Sequence, residues 1–79
     1  MHYVLHMWVT GTTNYFSCKQ DLVDWIDTHK HLLNKKTKLL INVYRCPFGF
    51  NWYIKHSGTN FIPNPDYRLG NIGQFMNSL

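Results

Sequence analysis

Residues 2 to 9, His-Tyr-Val-Leu-His-Met-Trp-Val, alternate with a period of two. On a strand this places Tyr3, Leu5, Met7 and Val9 on one face and His2, Val4, His6 and Trp8 on the other. Thr10-Gly11-Thr12-Thr13-Asn14 then has the composition of a loop. Ser17-Cys18-Lys19-Gln20 has the spacing of a capping box, in which the serine hydroxyl and the glutamine amide satisfy unpaired backbone N–H groups, so a helix is predicted to begin there. Leu22, Trp25, Ile26, His29 and Leu33 recur at helical spacing as its apolar stripe, with Asp24, Asp27, Thr28 and His31 on the wet side. Asn34 is the expected terminator.

Lys38 to Arg45 and Phe50 to His56 alternate again, separated by Cys46-Pro47-Phe48-Gly49. Proline at the second turn position and glycine at the fourth fit a type I turn, so the pair is predicted to form a hairpin. Thr59 to Ile62 suits a short fourth strand, and Pro63-Asn64-Pro65-Asp66 breaks the chain once more. Leu69, Ile72, Phe75, Met76 and Leu79 have helical spacing, but Gly70 and Gly73 each cost about 1 kcal/mol relative to alanine. The order β-α-β-β-(β)-α describes an α+β fold: a small antiparallel sheet of three to four strands, one amphipathic helix on one face and a weak C-terminal helix. At this length a single domain over residues 1–79 is expected.

Sorting the predicted strands by parity separates two unlike surfaces. Tyr3, Leu5, Met7, Val9, Leu39, Ile41, Val43, Phe50, Trp52 and Ile54 form an apolar face that should meet the helix stripe. The opposite face carries His6, Trp8, Asn42, Tyr44, Asn51, Tyr53 and Lys55, a mixture of flat rings, amides and a cation. Bases of single-stranded nucleic acid stack on such rings, amides read base edges, and lysines hold phosphate. Lys35, Lys36, Lys38 and Arg68 are candidates for a basic rim around it. In the alternative arrangement the C-terminal segment lies across this face with Phe61, Leu69, Ile72 and Phe75, and its rings become core.

Composition adds a bias in origin. The chain has no alanine and no glutamate, and its formal net charge of +4 comes from 8 Lys and Arg against only 4 acidic residues. Residues with AT-rich codons (Phe, Tyr, Met, Ile, Asn, Lys) number 32 against 10 for Gly, Ala, Arg and Pro, which points to an AT-rich genome and suits a virus or phage accessory protein. No apolar run approaches the ~20 residues of a membrane span, and Met1 to Val9 lacks the cationic start of a signal peptide. A cytoplasmic protein without membrane contact is expected. Cys18 and Cys46, 28 apart and outside any C-x-x-C motif, fit two reduced thiols.

Phe48-Gly49-Phe50 followed by Tyr53 resembles the aromatic RNA-contacting strand of RRM domains, although Cys46-Pro47 stands where that strand has a basic residue and glycine. The resemblance implies contact with RNA through this aromatic segment. From Ser17 onward the expected order α-β-β-β-α is also similar to the layout of double-stranded-RNA-binding domains and of interferase toxins built on it. No lysine cluster opens the last helix and no Gly-Ser-His lies in the hairpin, so only the layout is shared.

Five histidines invite a metal or catalytic reading. His29 and His31, two apart on a helix, point to different sides and cannot chelate one ion, so no metal and no cofactor is expected. His6 and His56 could act as acid and base of a metal-free ribonuclease, with Lys55 or Arg68 stabilising the phosphorane. His56-Ser57 with Asp66 forms a second conceivable hydrolytic set. Set against these, small size and a basic, ring-rich surface favour a non-catalytic interaction protein, monomer or homodimer, that binds and inhibits a host protein or ribonucleoprotein. An RNA- or single-stranded-nucleic-acid-binding module is the first alternative and the ribonuclease the second.

Overall fold

The computed structural model describes residues 2–58 and 62–79. Its strands are β1 (His2–Met7), β2 (Thr12–Phe16), β3 (Ile41–Cys46) and β4 (Arg68–Asn71); its helices are α1 (Lys19–His29), α2 (Lys35–Leu40), α3 (Phe50–His56) and α4 (Ile72–Asn77). The strands form one antiparallel sheet in the order β2-β1-β3-β4. The α+β class and the small antiparallel sheet are as expected, while several elements differ from the sequence reading.

The first difference is the hairpin. It joins β1 to β2, not residues 38–45 to 50–56. Gly11 turns the chain at φ +69, a conformation that favours glycine, and its N–H bonds Met7 O at 2.8 Å. Met7 then pairs with Thr12 and Tyr3 with Phe16. Thr12 and Thr13 look like loop residues in isolation, but threonine, tyrosine and phenylalanine are strand formers once a partner strand is alongside.

The second difference is α3. Phe50 to His56 alternates, yet Phe50 and Tyr53 are also three apart and Trp52 and His56 four apart, so both periods fit this short window. The helix is closed by Tyr53 N to Gly49 O at 2.9 Å and by the Ser57 hydroxyl donating to Tyr53 O at 2.6 Å. It lies on the face of the sheet opposite α1. The RRM-like strand is therefore absent, because Phe50 and Tyr53 ride on a helix.

Capping corrects two further boundaries. Asn34 starts a helix instead of ending one: its Oδ1 accepts from Lys36 N and Thr37 N, and Thr37 Oγ1 accepts from Asn34 N at 2.9 Å. Residues 38–40 thus belong to α2, and β3 begins only at Ile41. Ser17 does not cap α1. The N-cap is Cys18 without a side-chain bond, while Ser17 donates to Asp21 at 3.4 Å and Gln20 to Asp24 at 2.8 Å. At the C-terminus Gly70 lies in β4 at φ +135, and α4 starts behind Asn71, whose side chain and that of Gln74 satisfy each other's backbone N–H. A Cβ at Gly70 would stand 2.6 Å from Gln74 Oε1. The strand expected over Thr59 to Ile62 falls on residues 59–61, outside the described ones, and Ile62 is not in a strand.

Both faces of the sheet are covered. On one, Leu5, Ile41 and Val43 meet Leu22 and Ile26 of α1 and Ile72 and Phe75 of α4. On the other, Val4, Tyr44 and Cys46 lie under Tyr53 of α3, with Tyr15 and Trp52 packed alongside. Ile72 and Phe75 thus serve the α1 side, not the ring-bearing face, and Val9, Leu39 and Leu69 are exposed. Both cysteines are free: Cys18 is exposed, and Cys46 is fully buried with its thiol pushed up by burial. Iodoacetamide should therefore label one thiol per native chain and a second only after denaturation, counted by mass spectrometry. In urea titrations Asn34→Ala should cost about 1 kcal/mol and Ser17→Ala less than about half of that.

Candidate functional site

The sequence-predicted binding face does not exist as an open surface. His6, Asn42, Tyr44 and Tyr53 are each no more than 8% exposed; Tyr44 packs against Tyr53, which stands on α3 and not on a strand. Asn51 and Lys55 are exposed on α3, and Trp8 lies beyond the end of β1, 54% exposed. The rim divides as well. Lys35, Lys36 and Lys38 share α2, whereas Arg68 donates through Nε at 3.0 Å and Nη2 at 2.8 Å to Asn42 Oδ1.

His6 and Asn42 are cross-strand partners, so His6, Asn42 and the Arg68 fork share one face beneath the edge-on ring of Trp8, whose centroid is 4.9 Å from that of His6. The His6 Nδ1 is buried and has no hydrogen-bond partner among the described residues. Burial pushes its pKa down, since a charged imidazolium would be poorly solvated there. Tyr44 is raised by burial, against which the Arg68 guanidinium pulls downward and Tyr53 pushes up. Tyr15, also raised by burial, bonds His2 Nδ1 through its hydroxyl.

His56 is elsewhere, stacked on Trp52 at 4.4 Å; it borders a hollow of about 10 Å³ with Tyr67 and Pro63 and, with Ser57 and Ile62, an open one of about 430 Å³. His6 lines neither hollow, so the acid–base pair is not brought together. Asp66 caps no histidine; its N–H bonds Asn64 Oδ1 in the 3-10 turn Pro65–Tyr67. Among the described residues no three His, Cys or Asp side chains are grouped to hold a metal, and no helix is long and apolar enough to cross a membrane.

A wide apolar opening lies at the C-terminal end of β1, on the face opposite His6, where the sequence had suggested no site. Met7, the last residue of β1, and Ile41, the first of β3, are paired and form its floor. One wall is α1, where Trp25 and His29 stack at 4.1 Å and 14°, His29 Nδ1 lying 2.8 Å from Trp25 O. The other is α2, through Thr37 and Leu40. Two adjoining hollows of about 220 and 180 Å³ share Met7, Thr37 and Ile41; Leu32 and Leu33 border the first, Val9 and Thr10 the second. Leu32 and Val9 are 63% and 76% exposed. Exposed apolar groups in a continuous patch mark an interaction surface more than scattered ones do. The elements that wall it also carry lysines, Lys30 in the 3-10 turn Lys30–Leu32 and Lys35, Lys36 and Lys38 on α2, although none of them lines the hollows and the Lys38 stem lies beside Gly73 of α4. The signal in the sequence was Leu32-Leu33 and Leu39-Leu40 bracketing Asn-Lys-Lys-Thr-Lys, which supplies more leucine than one short helix buries.

No protein-family model, no curated protein and no solved structure matches this chain.

Because His6 is held neutral inside the sheet, unfolding takes up a proton between its depressed native pKa and the ordinary value of about 6.5. Stability should be full above that ordinary value and decline as pH falls below it, levelling off under the native pKa. His6→Gln should flatten that limb by up to one proton in urea titrations run from pH 8 to pH 5.

Proposed function

We propose that the chain is a small non-catalytic interaction protein, encoded by a virus or phage, that docks on an acidic surface of a host protein or ribonucleoprotein and blocks it. The observation carrying this reading is the open groove floored by Met7 and Ile41 and apolar inside; Lys30 lies in the 3-10 turn that contributes Leu32 to it, and Lys35, Lys36 and Lys38 lie on the helix that contributes Thr37 and Leu40. Apolar lining supplies affinity on desolvation, and cations on the adjoining elements steer and select an acidic partner. The four acidic side chains are placed away from it: Asp21 and Asp24 bond Ser17 and Gln20 on α1, Asp27 is exposed on the wet side, and Asp66 lies in the second 3-10 turn. The net charge of +4 and the codon bias support the same reading from composition.

The test is capture from host lysate by tagged protein, with and without RNase. Leu32→Glu and Val9→Glu alter exposed positions and should leave the fold intact while lowering capture of the partner by at least about tenfold, or ~1.4 kcal/mol. Phe48→Glu, on the far side of the sheet, should leave capture unchanged. The reading fails if the groove variants bind like the parent. Should binding disappear with RNase and fall steeply with salt, the lysines are holding nucleic acid instead.

A further inference from the structure

The two edges of the sheet are unlike. β4 has four residues, carries Arg68, contains Gly70 at φ +135 and slips in register against β3 between Val43 and Tyr44. Short length, charge and a bulge are the devices that keep an edge strand from pairing with another chain. β2 has none of them. Thr12-Thr13-Asn14-Tyr15-Phe16 pairs with β1 along its whole length, contains no charge, glycine or proline, and has no strand on its outer side among the described residues. Every second residue of it therefore offers an N–H and a C=O outward.

The helical layers reach this edge. Trp25 of α1 meets Phe16 at 6.4 Å, and Phe50 of α3 meets Tyr15 at 5.2 Å while remaining 51% exposed. A strand added outside β2 comes to lie beside rings on both of its faces, so the strand that fits is uncharged and has apolar groups on both faces. β2 itself has that character, with Phe16 and the Thr12 methyl on one face and Tyr15 and the Thr13 methyl on the other.

We propose that β2 pairs antiparallel with β2 of a second copy about a two-fold axis at Asn14, joining two sheets into one. This sets Thr13 opposite Tyr15 and Thr12 opposite Phe16 of the copy, with roughly four to six new main-chain bonds. No like charges meet across the pairing although each chain carries +4. Assembly closes at two, because the contact consumes both open edges and leaves only the blunted β4 edges outside. Neither the groove nor its lysines take part, so this contact stands or falls apart from the docking reading.

Sedimentation equilibrium of the full chain should show the mass rising twofold with concentration, and hydrogen exchange of β2 amides should slow in step. Asn14→Lys and Asn14→Asp each put like charges on the axis, so each alone should stay monomeric where the parent is dimeric. An equimolar mixture of the two should recover the dimer. Circular dichroism checks that both variants fold; if either does not, the concentration dependence of β2 exchange in the parent decides. A parent that stays monomeric, a dimer with unprotected β2 amides, charge variants that dimerise alone, or an edge that accepts only a strand from another protein overturns the proposal.

Discussion

The pairing of β1 with β3 is the constraint on which the remaining structure depends. Its six residue pairs, from His2–Cys46 to Met7–Ile41, place three consecutive residues of β1, Val4, Leu5 and His6, in the interior. Consecutive burial means that both faces of the sheet must be covered, and a chain of 79 residues has few elements with which to do it. α1 and α4 take the leucine, isoleucine and valine side; α3, only seven residues long, takes the side with the rings and amides. Burying a histidine and an asparagine in mid-sheet follows from that division. Asn42 is satisfied by Arg68, and His6 is kept neutral.

Covering two faces with short helices leaves apolar groups that no element reaches. They collect where elements end: beyond Met7 and before Ile41 on one side, and at Phe48, Phe50 and Ile54 of the α3 region on the other. The groove thus lies where two strand termini and two helices meet without a further element to fill the space. The grouping of Lys35, Lys36 and Lys38 has a similarly local origin, since Asn34 and Thr37 fold that segment into a helix whose Thr37 and Leu40 line the opening.

The sequence showed what depended on long patterns. The stripe Leu22, Trp25, Ile26 places α1 correctly, because burial of one face enforces a single period over two or more turns, and the alternation of residues 2–9 finds a central strand, which the structure ends at Met7. It failed where segments are short. Seven residues at 50–56 satisfy both periods, and only the tertiary demand to cover Val4, Tyr44 and Cys46 decides for helix. β2 went unseen because its stability comes from pairing with β1, which composition does not register. The candidate face was a consequence of the misplaced hairpin, so its rings were real and its exposure was not.

Each of the three tryptophans stands against a histidine ring: Trp8 edge-on to His6 at 4.9 Å, Trp25 stacked on His29 at 4.1 Å, and Trp52 stacked on His56 at 4.4 Å. The emission of an indole depends on what its ring touches. The protein thereby carries its own optical probes, one in the groove, one against the buried His6 and one on the outer helix. Single-tryptophan versions would light these regions separately, without any attached dye.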